Sequence, residues 1–173
     1  MFNYELKLVD SSRFVADLLV RDIDQNSEKF AEMMKLAFRD EYPLSMRAAR
    51  VIALCTEKEP GMITPFVDRI VTALPNFKVE GVKRGFLKLL CDKSLIIDEK
   101  NLGILTDLSF TWLADPKEAI AIRYYAMDIL SRVASSYPEI KTELLEIISS
   151  ISEENCAALH SKIKKLRLQL GST

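Results

Sequence analysis

The chain has 173 residues, 49% of them hydrophobic and 28% charged, and its 24 basic and 25 acidic side chains leave a net charge of −1. That is enough chain to bury a sizeable core and too apolar a composition for a disordered segment. Its charges are too evenly balanced to draw the whole molecule to nucleic acid or anionic lipid. No run approaches the roughly 18–20 apolar residues that a membrane helix needs. The opening "MFNYELKLVDSS" carries charges where a secretory leader is apolar. The expectation is a cytoplasmic protein forming a single domain over residues 1–173.

Apolar residues recur at three- and four-residue spacing almost throughout, and strand-like alternation is nearly absent. The spacing predicts a first helix over Asp10 to Ile23, with Phe14, Val15, Leu18, Leu19 and Val20 as its apolar stripe. A second runs from Ser27 to Arg39, with Phe30, Met33, Met34, Ala37 and Phe38 facing inward. Pro43, Pro60 or Pro65, Pro116 and Pro138 then fall near helix starts, where the missing N–H costs nothing. "DPKE" is the clearest start: Asp115 as N-cap, Pro116 in the first helical position, and Glu118 closing a capping box. Eight helices follow the first and fall into pairs at 26–57, 60–93, 98–136 and 138–168, whose starts lie roughly 35–40 residues apart, the period of helical-repeat arrays.

Cys55, Cys91 and Cys156 lie far apart within helical apolar pattern and read as buried reduced thiols. His160 is the only histidine, which excludes a zinc site built from several imidazoles. The chain contains no phosphate-binding glycine loop, no dinucleotide fingerprint, no GxSxG elbow and no HExxH. Glu153 and Glu154 are adjacent at a predicted helix start, so they suit the helix dipole rather than a facing carboxylate pair. No enzymatic activity, metal or cofactor is expected.

One stretch returns. "RAARVIALC" reappears loosely as "KRGFLKLLC" and "IRYYAMDIL", placing Arg47, Arg84 and Arg123 near the start of the second helix of three pairs. Lys83 aligns the apolar positions better than Arg84 does, and Arg50 competes with Arg47. The fuller pattern, an acidic residue, proline, then arginine with small or apolar residues, reads "DEYPLSMRAARVIAL" and "DPKEAIAIRYYAMDIL". "NFKVEGVKRGFLKLL" is a copy without proline or aspartate. On these segments the chain resembles the HEAT-repeat family of the armadillo/HEAT α-solenoid group, over residues 26–168. The last pair, "SEENCAALHSKIKKL", lacks the arginine, as suits a terminal repeat with a polar outer side. The resemblance implies an all-α, right-handed α-solenoid of about four antiparallel HEAT-like helix pairs, with residues 1–25 as an N-terminal capping helix. A globular helical bundle is the alternative.

In such a solenoid the first helix of each pair lies on the convex side and the second lines the concave side. The second-helix segments 44–56, 78–93, 117–132 and 153–168 are each net basic, and the first-helix segments 26–41, 57–74, 98–115 and 138–150 each net acidic. Arg47, Arg50, Lys83, Arg84, Lys88, Arg123, Arg132 and Lys162 are therefore the candidate partner-binding residues. The function implied is a noncatalytic scaffold presenting this face to an acidic or extended protein segment, with Tyr124 or Leu54 as apolar anchors. The same charges have a structural reading. Arginine early in a second helix would pair with Asp40 or Asp115, and Lys88, Lys93, Arg132 and "KIKKLR" would complement helix dipoles. A nucleic-acid binder is the alternative function, on a resemblance to the HEAT-like DNA alkylation repair glycosylases, whose basic concavity is lined by tryptophans and an aspartate. Its echo is "TWLADP", with Trp112 and Asp115, followed by Arg123, Tyr124 and Tyr125; the single tryptophan departs from that pattern.

Overall fold

The computed structural model describes residues 3–151 and 156–171, and the described residues form helices and turns with no strand. The chain divides into two compact units, Met1–Ile96 and Ile97–Thr173. No described helix is long and apolar enough to cross a membrane. Glu153 and Glu154 lie outside the described residues.

The first unit contains α1 (Tyr4–Lys7), α2 (Arg13–Ile23), α3 (Ser27–Phe38), α4 (Leu44–Lys58), a 3-10 helix (Pro60–Phe66), α5 (Val67–Ala73), a second 3-10 helix (Leu74–Asn76) and α6 (Glu80–Leu90). α1 was not expected. α2 begins later than the spacing predicts, because Asp10 forms a turn that accepts from the Ser12 N–H at 2.7 Å while the Ser12 hydroxyl caps the Val15 N–H at 3.2 Å. Its buried stripe is Ala16, Leu19, Val20 and Ile23, at the i, i+3, i+4, i+7 spacing of one helix face. Phe14 and Leu18 fall on another face and stand 72% and 48% exposed, which corrects their assignment to the core. α3 is capped by Asn26, whose side chain accepts from the Lys29 N–H at 2.9 Å, and it buries Phe30, Met33, Met34 and Ala37 as expected.

The stretch from Pro60 to Asn76 is not one regular helix. Pro60, Pro65 and Pro75 each remove an amide donor, and the segment resolves into tight 3-10 turns around the short α5. Beside it, Phe38, Phe77 and Phe86 form an aromatic cluster with ring centroids 5.6–6.0 Å apart, and the Arg69 guanidinium lies 4.0 Å from the centre of the Phe38 ring. Ile23, Ile52, Ile63, Ile70 and Leu87 are fully buried, each contributing about 1.5–3 kcal/mol by removal from water.

The second unit contains α7 (Glu99–Ala114), α8 (Ile120–Ala134), α9 (Pro138–Ile151) and α10 (Ala157–Gly171). Asp98 caps α7, accepting from the Asn101 N–H at 2.9 Å and the Asn101 amide at 2.7 Å, and these bonds hold its carboxyl below the usual range. The capping box expected at "DPKE" does not form. Asp115 accepts from the Lys117 N–H at 2.9 Å in a local turn, Glu118 accepts from the Ala119 N–H at 2.9 Å, and α8 starts only at Ile120 without a side-chain cap. An aspartate–proline pair serves a turn as readily as a helix start, and here the turn wins. α9 does begin at Pro138. Leu113, Ala126, Met127, Leu130, Leu144, Ile148, Leu159, Ile163 and Leu166 make the core. Trp112 is buried, and Tyr124 and Tyr125 are half-buried in an edge-on pair 5.8 Å apart.

All three cysteines are free thiols, but only Cys55 is buried; Cys91 and Cys156 are half-buried, against the expectation of three core thiols. Burial pushes the Cys55 thiol up to about 11, with Lys58 opposing, so it stays protonated and unreactive at neutral pH. It borders a hollow of about 310 Å³ lined by Arg21, Asp24, Lys58 and Met62 among others.

Candidate functional site

The cations singled out by the repeat pattern share a register. Arg47, Lys83 and Arg123 are each the fourth residue of their helices, α4, α6 and α8. Lys83, rather than Arg84, is thus the second copy of the position. In α10 the fourth residue is His160, which is exposed.

In the first unit, Arg47 reaches back to the segment joining α1 to α2. One terminal nitrogen donates to the carbonyls of Leu8 and Val9, both at 2.8 Å, and Nε lies 3.4 Å from the Ser11 hydroxyl. Arg50, a turn later, donates to the Ser11 carbonyl at 2.6 Å. A guanidinium offers five fixed donors, so a pair of arginines suits a stretch of backbone whose carbonyls have no helical partner. The expected partner of Arg47, Asp40, is engaged elsewhere. Its carboxylate accepts from the N–H groups of Lys78 and Val79 at 2.7 and 2.9 Å, ahead of the first turn of α6.

α6 shows two faces. Lys83 is buried with Val82, Phe86 and Leu87, whereas Glu80, Arg84 and Lys88, four residues apart, form an exposed strip. Lys88 pairs with Glu57 of α4 at 3.3 Å, a contact between exposed groups that is worth well under about 1 kcal/mol. Arg84 makes no hydrogen bond or ion pair with another described residue. On α4, the half-buried Leu54 lies one turn beyond the exposed Arg50.

In the second unit, Arg123 is 2% exposed, and its Nε donates to the Leu113 carbonyl at 3.2 Å, near the C-terminal end of α7. It is a core residue and not a surface one. Its expected partner Asp115 is held in the local turn. Lys162 pairs with Asp128, and its ammonium lies 4.4 Å from the centre of the Tyr124 ring. Arg132 is half-buried on α8, and Lys164, Lys165 and Arg167 are exposed on α10.

The eight candidates are therefore not all surface groups. Arg123 and Lys83 are inside, Arg47 and Arg50 are committed to backbone carbonyls, and Lys162 is paired. Arg84 and Lys88 are displayed. Sequence reasoning missed the exposed apolar pair Phe14 and Leu18 on α2; the available signal was that Ala16, Leu19, Val20 and Ile23 make a complete stripe without them. Trp112, 7% exposed, and the buried Arg123 are not laid out on an open face with Asp115.

A family model described as a HEAT repeat domain matches residues 5–170. No curated protein matches the chain, and no solved structure does.

Proposed function

From its membership of the HEAT-repeat family, which spans nearly the whole chain, we propose that this protein is a noncatalytic scaffold that holds a protein partner against the exposed faces of its second helices. The observation carrying this reading is the strip on α6. Arg84 is exposed and unengaged among the described residues, and Lys88 is tied only by a solvent-exposed pair. A guanidinium left free on a rigid helix is a ready site for a carboxylate of an acidic segment. Arg50 on the neighbouring α4 is held in one orientation by the Ser11 carbonyl, which lowers the ordering cost of using its remaining donors. Half-buried Leu54 supplies apolar surface beside it. Charge would then set the encounter rate and orientation, and the apolar contact the residence time.

The competing reading is phosphate recognition by the same strip. Buried Trp112 and Arg123 lend no support to a glycosylase-like arrangement, since an indole inside the core has no face on which a base can stack. The two readings part on salt. Fluorescence anisotropy with a labelled glutamate–leucine peptide, and separately with single- and double-stranded DNA, is to be compared for the wild type and an Arg84→Glu/Lys88→Glu variant. The expected result is peptide binding that survives moderate salt and drops on the order of tenfold in the variant. Tight DNA binding that falls steeply with salt and is lost in the same variant would replace the scaffold reading with a nucleic-acid one.

A further inference from the structure

The second unit holds a groove of opposite character. α7 contributes Glu99, Leu102, Gly103, Thr106 and Asp107, the i, i+3, i+4, i+7, i+8 stripe of one helix face; Val133 at the end of α8, Tyr137, and Glu139 and Ile140 at the start of α9 complete the lining. The hollow has a volume of about 230 Å³, smaller than the roughly 300–1,000 Å³ typical of small-molecule sites. It has room for one long side chain rather than a metabolite. Its floor is apolar, from Leu102, Val133 and Ile140, and Tyr137 is 39% exposed at its edge. The three carboxylates Glu99, Asp107 and Glu139 are exposed, and none has an ion pair or side-chain hydrogen bond with another described residue.

Helix dipoles account for part of this. Glu99 and Glu139 sit in the first turns of α7 and α9, where negative charge is favoured. They do not account for Asp107, in the second half of α7, or for Gly103. A glycine inside a helix costs about 1 kcal/mol relative to alanine, and packing does not require this one, because nothing lies within 4 Å of where its Cβ would be. Its missing side chain leaves open space in the groove between Glu99 and Asp107, one turn to either side.

We propose that this groove binds an arginine-bearing segment of a partner protein, the aliphatic stem of one arginine lying on Leu102, Val133 and Ile140 and its guanidinium among Glu99, Asp107 and Glu139. A long side chain with an apolar stem and a charged head matches both parts of the groove. The planar donor fork suits several carboxylates at once, and the Tyr137 ring offers it an aromatic face. The proposal is independent of the Arg84 strip, which has the opposite charge and lies in the other unit.

The test is anisotropy with a short labelled peptide of arginine, leucine and glycine, against a counterpart with glutamine in place of each arginine. Wild type is expected to prefer the arginine peptide, and a Glu99→Gln/Asp107→Asn/Glu139→Gln variant to lose on the order of tenfold in affinity for it. Gly103→Ala is the sharper probe. It is expected to raise the melting temperature, since alanine is the better helix former, while weakening the peptide several-fold by setting a methyl group in the open space between Glu99 and Asp107. Equal binding of both peptides, no binding by wild type at low salt, or binding unchanged by Gly103→Ala overturns the proposal. So does self-association of wild type that the triple variant abolishes without any peptide binding, which would assign the groove to the basic α10 of a second copy.

Discussion

Arg47 in the first unit and Arg123 in the second occupy the same helical register and meet the same kind of atom by different routes. Arg47 turns back across 39 residues to the carbonyls of the α1–α2 segment and stays half-exposed. Arg123 reaches 10 residues back to the last turn of α7 and is enclosed. In both units the repeat arginine satisfies carbonyls that no helix supplies with a donor, which is a structural task with an obligatory character. What differs is solvent. The position that looks most functional in the sequence is therefore the one most occupied by the fold, and Arg84, exposed and unengaged among the described residues, sits one residue out of register.

The largest expected effect follows from that difference in burial. Arg123→Ala leaves the Leu113 carbonyl without its donor and opens a cavity, together costing about 3–4 kcal/mol. Trp112, the single tryptophan, is in the second unit, so its fluorescence during urea unfolding reads this loss directly. A midpoint unchanged from wild type would mean that the buried guanidinium is neutral to stability.

Arg47→Ala tests the exposed member. Two carbonyls lose a charged donor but regain water, so the loss is expected to be smaller, about 1–2 kcal/mol. It should be local. Hydrogen exchange is expected to accelerate over residues 8–16 and to leave α8 untouched, and Arg47→Lys should restore only part of the protection, since an ammonium can serve a carbonyl but lacks the Nε–H that faces the Ser11 hydroxyl. An equal loss of protection in both units would mean that Arg47 supports the whole chain rather than the α1–α2 segment.

How much of this the sequence disclosed depends on the range of the interaction. Helices such as α3 are legible because their information is local: an asparagine cap and a 3.6-residue apolar stripe lie within 13 residues, 26–38. α2 misleads because Ala16 carries little apolar signal while Phe14 carries much, although only the former is buried. Asp115 and Pro116 fit both a helix start and a turn, and the pair by itself does not say that the turn forms and α8 waits until Ile120. The charges of the second helices were countable, but the carbonyls that consume them lie at the ends of other elements and leave no mark in composition. Glu99, Gly103 and Asp107 were visible at four-residue spacing, yet only the packing of α7 beside α8 and α9 turns that spacing into a groove.

Second helices also meet differently within each unit, and here the smallest effects discriminate best. α8 meets α10 with large polar groups, Lys162 lying on Tyr124 and pairing with Asp128. α4 meets α6 through small ones: a Cβ added at Gly81 would lie 2.8 Å from Met46 Cγ, whereas one added at Gly85 would lie 3.5 Å from the Ala49 Cβ. The first distance is a clash and the second an ordinary contact, so two glycines four residues apart on one helix should respond with opposite signs. Gly85→Ala gains helix propensity without strain and is expected to stabilise by up to about 1 kcal/mol. At Gly81 the same gain is offset, because the added Cβ meets Met46 at Cγ and Sδ rather than at its tip and the half-buried side chain must shift as a whole; overpacking typically costs about 1–3 kcal/mol, leaving a net loss. Thermal melts followed by circular dichroism should therefore move up for Gly85→Ala and down for Gly81→Ala. Two upward shifts would mean that Met46 yields freely and that the α4–α6 contact is set by something other than the small residue at Gly81. A downward shift at Gly81 that a Met46→Ala change reverses would assign the close approach of the two helices to that single contact.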